Sequence, residues 1–95
     1  MPHPDAHAVL RSSHLIEELA SAEHERWSSW QRHLHEQCEP EADGTLTIPA
    51  HLVRRWTMQM NTPYVQLSEQ EKDSDREQVQ RYLPIIAAAF EAERP

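Results

Sequence analysis

Ser68-Glu69-Gln70-Glu71, followed by Lys72, Val79, Leu83, Ile86 and Phe90, is the clearest structural signal in the chain. Serine and a glutamate three residues later form a capping box, in which each side chain accepts a hydrogen bond from the other residue's backbone N–H. The apolar residues then recur at heptad-like steps and predict a long helix to the C-terminus. Pro84 interrupts it: proline offers no N–H to the carbonyl four residues back, so the helix is expected to kink or break there.

Two further helices are read outward from this one. Ser13 stands as an N-cap with Glu17 and Glu18 near the first turn, where the helix dipole favours acids. Ile16, Leu19, Ala20, Trp27, Trp30 and Leu34 then mark an apolar face ending near Gln37. Residues 38–45, with Pro40, Asp43 and the only glycine, Gly44, form a loop. Thr47 is expected to cap a second helix with Pro49 in its first turn and Leu52, Val53, Trp56 and Met60 on its buried side. Asn61, Thr62 and Pro63 end that helix, and residues 64–67 connect in extended form. No strand is predicted. The expected fold is all-α: three helices in a single domain over residues 14–93, the long first and third antiparallel. Residues 1–13, with two prolines and no periodicity, are expected to form a flexible tail.

Composition removes several functions. A chain of 95 residues with one glycine has no dinucleotide fingerprint, phosphate-binding loop or nucleophile elbow. One cysteine, Cys38, makes no internal disulfide and suits a reducing compartment. Sixteen acids against nine Lys and Arg disfavour general nucleic-acid binding, which needs cations to neutralise phosphates. The longest apolar stretch, residues 83–90, is too short to span a bilayer, and residues 1–20 hold no apolar segment of signal-peptide length. The expected location is the cytoplasm, away from membranes.

Seven histidines do not form a ligand set. His33 and His35 fall on different helix faces, and His35 with Cys38 makes half a site at most. His24-Glu25 opens like a zincin motif, but Ser28 stands where the second histidine is needed. Neither a metal, a cofactor nor an enzyme is expected.

Charges on the apolar stripes are more informative. Glu23 and His24 interrupt the first stripe, and Asp75 and Arg76 interrupt the third. A charge facing a core must be paired. One reading is an inter-helix ion pair of Glu23 or Glu25 with Arg76; the other is a polar, tryptophan-lined pocket at the helix junction. Residues 45–66 contain no acid but do contain His51, Arg54 and Arg55 beside Trp56, so an anion or a planar group has its best reception there.

Two segments resemble the ends of the ryanodine-receptor (RyR) repeat domain. One is His24-Glu25-Arg26-Trp27 preceded by Ile16-Glu17-Glu18-Leu19-Ala20; the other runs from Pro63-Tyr64-Val65-Gln66-Leu67 through Ser68 to Arg76. The resemblance spans about residues 15–86 and lapses in the middle, where the receptor repeats have a glycine- and tryptophan-containing turn. It points to the compact bacterial and bacteriophage variants, located in the host cytoplasm if phage-encoded. It implies a non-catalytic module for a nucleotide-derived anionic ligand, with Trp27, Tyr64 and Arg76 as motif positions and His24 and Glu25 beside them. Joined to the charge pattern, the expected ligand-binding set is Trp27, Arg54, Trp56, Tyr64, Arg76, His24 and Glu25. The alternative is an assembly module forming a homo-oligomer, or binding a partner protein, through Trp56, Met58 and Met60, since methionine and tryptophan are favoured in such surfaces.

Overall fold

The computed structural model describes residues 5–93. These form α1 (Ala6–Leu10), α2 (Ser13–Gln37), β1 (Glu39–Pro40), β2 (Leu46–Thr47), α3 (Ala50–Met60), a 3-10 turn (Tyr64–Gln66) and α4 (Glu69–Ala92). The protein is thus a mostly helical small domain with three long helices and one small two-stranded sheet. Contacts divide the chain into two compact units, residues 1–26 with 74–95 and residues 27–73.

In the first unit, α1 is nucleated by Asp5, whose carboxylate accepts from the His7 backbone N–H at 3.0 Å. Its Val9 is buried. The segment expected as a tail is therefore helical over Ala6–Leu10, and four of its residues, 1–4, lie outside the described part. Ser12 rather than Ser13 supplies the cap of α2, its Oγ accepting from the Leu15 N–H at 3.3 Å. Leu15 is only 1% exposed, whereas Ile16, expected to face inward, is 50% exposed. Half-buried positions follow at Leu19, Ala22 and Arg26, at steps of four, three and four. Of the expected stripe over this stretch, Leu19 lies inward as read, while Ile16 and Ala20 are exposed and Leu15 and Ala22 take the inner face.

On α4 the half-buried positions are Glu71, Lys72, Gln78, Tyr82, Ile85, Ile86, Ala89 and Phe90, while Val79 and Leu83 are about half exposed. The expected stripe is half-buried at its two ends, Lys72 and Ile86 with Phe90, and exposed between them at Val79 and Leu83. The helix is unbroken from Glu69 to Ala92 with Pro84 inside it, so of the expected kink or break the break does not occur. Glu23 of α2 meets Tyr82 of α4, and Leu15 shares a groove with Ile85 and Ala89. Moving forward along α2 thus means moving backward along α4, the antiparallel course expected.

The second unit holds what pattern reading passed over. β1 and β2 pair antiparallel, Glu39 with Thr47 and Pro40 with Leu46. The turn between them places Gly44 at φ +89°, the one positive φ among the described residues and a conformation side chains resist. Asp43 braces it, accepting from the Thr45 N–H at 3.0 Å and hydroxyl at 2.7 Å. These bonds to an ionised carboxylate hold Asp43 below the ordinary carboxyl pKa. Thr47 does not cap α3: its hydroxyl donates to Glu41 across the hairpin at 2.9 Å. Pro49 takes the N-cap position with extended backbone and no side-chain hydrogen bond. Leu52 is buried, and residues 64–66 coil into a 3-10 turn instead of running extended. The capping box closes as read, with the Glu71 N–H donating to Ser68 Oγ and the Ser68 N–H to Glu71, both at 3.2 Å.

The phase of α2 is directly testable. Leu15→Ala removes an enclosed side chain and is expected to cost roughly 2–5 kcal/mol in urea denaturation. Ile16→Ala, on an exposed position, is expected to stay within about 1 kcal/mol. Equal costs would return α2 to the phase read from its sequence.

Candidate functional site

The seven expected site residues do not belong to one unit. His24, Glu25 and Arg76 lie in the first, and Trp27, Arg54, Trp56 and Tyr64 in the second.

In the first unit the charge on the α2 stripe is answered locally. Glu23 forms a salt bridge with Arg26 one turn along the same helix, and Arg26 Nε donates to Glu23 Oε1 at 2.8 Å. From α4, the Tyr82 hydroxyl donates to the other oxygen, Oε2, at 2.5 Å. The Arg26 hydrogen bond, and after it that from Tyr82, holds the Glu23 pKa below the ordinary carboxylate value. The same contact raises the Tyr82 pKa, because removing the phenolic proton would leave two anions face to face. Tyr82 was not singled out in the sequence. Its signal is its place four residues after Gln78 and seven before Ala89 on the inner face of α4. Arg76 is exposed on α4, and His24 and Glu25 are exposed on α2.

In the second unit the aromatic residues already have neighbours. Trp30 meets Trp56 edge-on, with ring centroids 5.7 Å apart, and His33 lies 5.4 Å from Trp30 on its own helix. This edge-to-face geometry sets the positive edge of one ring against the negative face of the other. Lys72 holds its ammonium 5.8 Å from the centre of the Tyr64 ring, and Glu69 lies 3.6 Å from the same ammonium. Trp27 is 54% exposed. Arg54 lines a broad open cleft with His51, Val53, Ile48, Thr47 and Glu39, beside the start of α3. That start has no side-chain cap, so its first backbone N–H groups present the positive end of the helix dipole.

The outer surface of α3 is also distinctive. Met58 is 72% and Met60 74% exposed, and Val65 just beyond the helix is 76% exposed. Helical spacing puts Met58 on one face with His51, Arg54 and Arg55, all of them exposed. Val53 and Met60 lie seven residues apart on the flank next to the half-buried Trp56.

Among the described residues no three His, Cys, Asp or Glu side chains converge as a metal-binding group, and no helix is long and apolar enough to cross a membrane. No family model matches the chain, and no curated protein or solved structure is significantly similar to it.

The Glu23 contact has a definite pH signature. A carboxylate whose pKa falls on folding binds more protons unfolded than folded, so stability rises with pH between the native and unfolded values. The contribution of Glu23 is present above the ordinary carboxylate pKa and is lost as pH falls through its lowered native value. Tyr82→Phe is expected to lower the melting temperature at neutral pH and to flatten its fall on acidification. An unchanged acid limb would show that the Tyr82 contact does not tune Glu23.

Proposed function

We propose that this protein is a non-catalytic interaction module working through α3, with Met58 and Met60 as its contact residues. The observation that supports the reading is the exposure of large apolar side chains on one short, acid-free stretch. Met58, Met60 and Val65 are each more than 70% exposed, and Val53 and Tyr64 nearly half. Flexible methionines beside aromatic and arginine side chains are what protein interfaces concentrate, while Lys, Glu and Asp are depleted there. A residue-by-residue photo-crosslinker at position 58 or 60, introduced in producing cells, is expected to trap a protein chain. The same group at exposed Gln80 serves as the control. Crosslinking at 58 and 60 no greater than at 80 would remove the reading.

A second reading is favoured by the start of α3. An uncapped helix N-terminus beside His51 and Arg54 is suited to an anionic group. This agrees with the nucleotide-derived ligand that the RyR resemblance implies. Calorimetry against adenine nucleotides, ADP-ribose and cyclic dinucleotides is the test. Binding is expected to weaken at least tenfold in Arg54→Ala, as the loss of a charge-assisted hydrogen bond of about 1.5–3 kcal/mol requires. Silence across the panel would retire this second reading and leave the first untouched.

A further inference from the structure

We propose that the partner of α3 is a second copy of this chain, joined head to tail: the His51–Arg54–Arg55–Met58 face of one copy docks into the α2–α4 groove of the next. The inference rests on the interaction reading above and names its partner.

Two surfaces of different chemistry carry it. The donor is α3, where a methionine 72% exposed sits among two arginines and a histidine. The acceptor is in the first unit, where an open groove of about 390 Å³ lies between α2 and α4. Leu15, Pro84, Ile85 and the alanines 88, 89 and 92 give it an apolar lining, and Glu18 supplies a carboxylate beside the imidazole of His14. The alanines keep the α4 wall low, leaving room for a long unbranched side chain such as methionine. Glu18 is exposed, within reach of an incoming arginine.

Charge selects a second copy as the occupant. Residues 45–66 carry Arg54 and Arg55 and no acid, so the rest of the chain holds all sixteen acids against seven of the nine Lys and Arg. The chain therefore presents both the basic face and the acidic surroundings that complement it. Because the two surfaces differ, each contact joins unlike faces: two copies that exchange both contacts close into a pair, and a single contact repeated from copy to copy produces a ring or an open chain. At about 0.15 M salt, charges more than about 8 Å apart are screened. The overall charge of −7 then opposes association least, while close pairs such as Arg54 with Glu18 persist.

Sedimentation equilibrium of the full chain tests this. The wild type is expected to rise above its chain mass of 11.1 kDa with concentration. Met58→Glu spoils the donor and Ala88→Glu fills the groove; each alone is expected to dissociate at least tenfold more readily. Mixed in equal amounts, they retain one intact donor and one intact groove and are expected to form a dimer that grows no further. Arg54→Glu, at an exposed position, should weaken association, and pairing it with Glu18→Arg should restore it. Helical circular dichroism confirms that each variant is folded. A wild type that stays at one chain mass overturns the proposal. So does a wild type that associates while the mixed variants do not, since that result marks a face pairing with itself. Crosslinking at 58 to a different protein, with no self-association, overturns the proposal yet leaves the interaction reading standing.

Discussion

Enclosure of a leucine by its own unit is the constraint under which the rest of this structure is arranged. Leu15 in the first unit and Leu52 in the second are sealed from water, with Val9 the third such apolar residue described. Burying a leucine stabilises by about 1.5–3 kcal/mol, so cores of this size leave little margin over conformational entropy. All the α-helices but α3 are accordingly started by local side-chain hydrogen bonds. Ser12 caps α2, Ser68 and Glu71 cap α4 reciprocally, and Asp5 starts α1. Small domains depend more heavily on such devices because their surface is large relative to their volume.

A light core also explains the polar contact between α2 and α4. The Glu23 carboxylate is shared between Arg26 and Tyr82. Around it the group remains exposed enough to stay hydrated, so no charge is stranded in an apolar interior. The contact fixes rotation of the two helices about one another in the first unit, a task that a few leucines perform poorly because apolar packing lacks direction. In the second unit the Trp30–Trp56 edge contact performs the same orienting role, with aromatic geometry in place of hydrogen bonds.

What the sequence reveals depends on how local the cause is. The capping box lies within four residues and forms as read, and the end of α2 at Gln37 and of α3 before Asn61 follow from nearby punctuation. The phase of α2 is different. Trp27 and Trp30 dominate any reading of apolar periodicity, yet tryptophan is large and is seldom fully enclosed, and both remain largely exposed. Leu15 and Ala22 set the true inner face with less apolar mass. The hairpin escapes because two-residue strands show no alternation, although Asp43-Gly44 marks its turn. Thr47 illustrates competition between two roles: the threonine that would cap α3 donates to Glu41 instead, and Pro49 takes the N-cap position. Tyr82 lies 59 residues from Glu23, and nothing in a local pattern joins them.

The distribution of aromatic residues gives each unit its own optical signature. All three tryptophans, Trp27, Trp30 and Trp56, belong to residues 27–73, whereas Tyr82 belongs to the other unit. Indole fluorescence, and the near-ultraviolet dichroism of the Trp30–Trp56 pair, therefore follow one unit alone. The ultraviolet resonance Raman bands of the phenol ring, which are distinct from those of indole and belong to Tyr82 alone once Tyr64 is replaced, follow the other. Coincidence or separation of those two traces during unfolding distinguishes a single cooperative structure from two that melt independently.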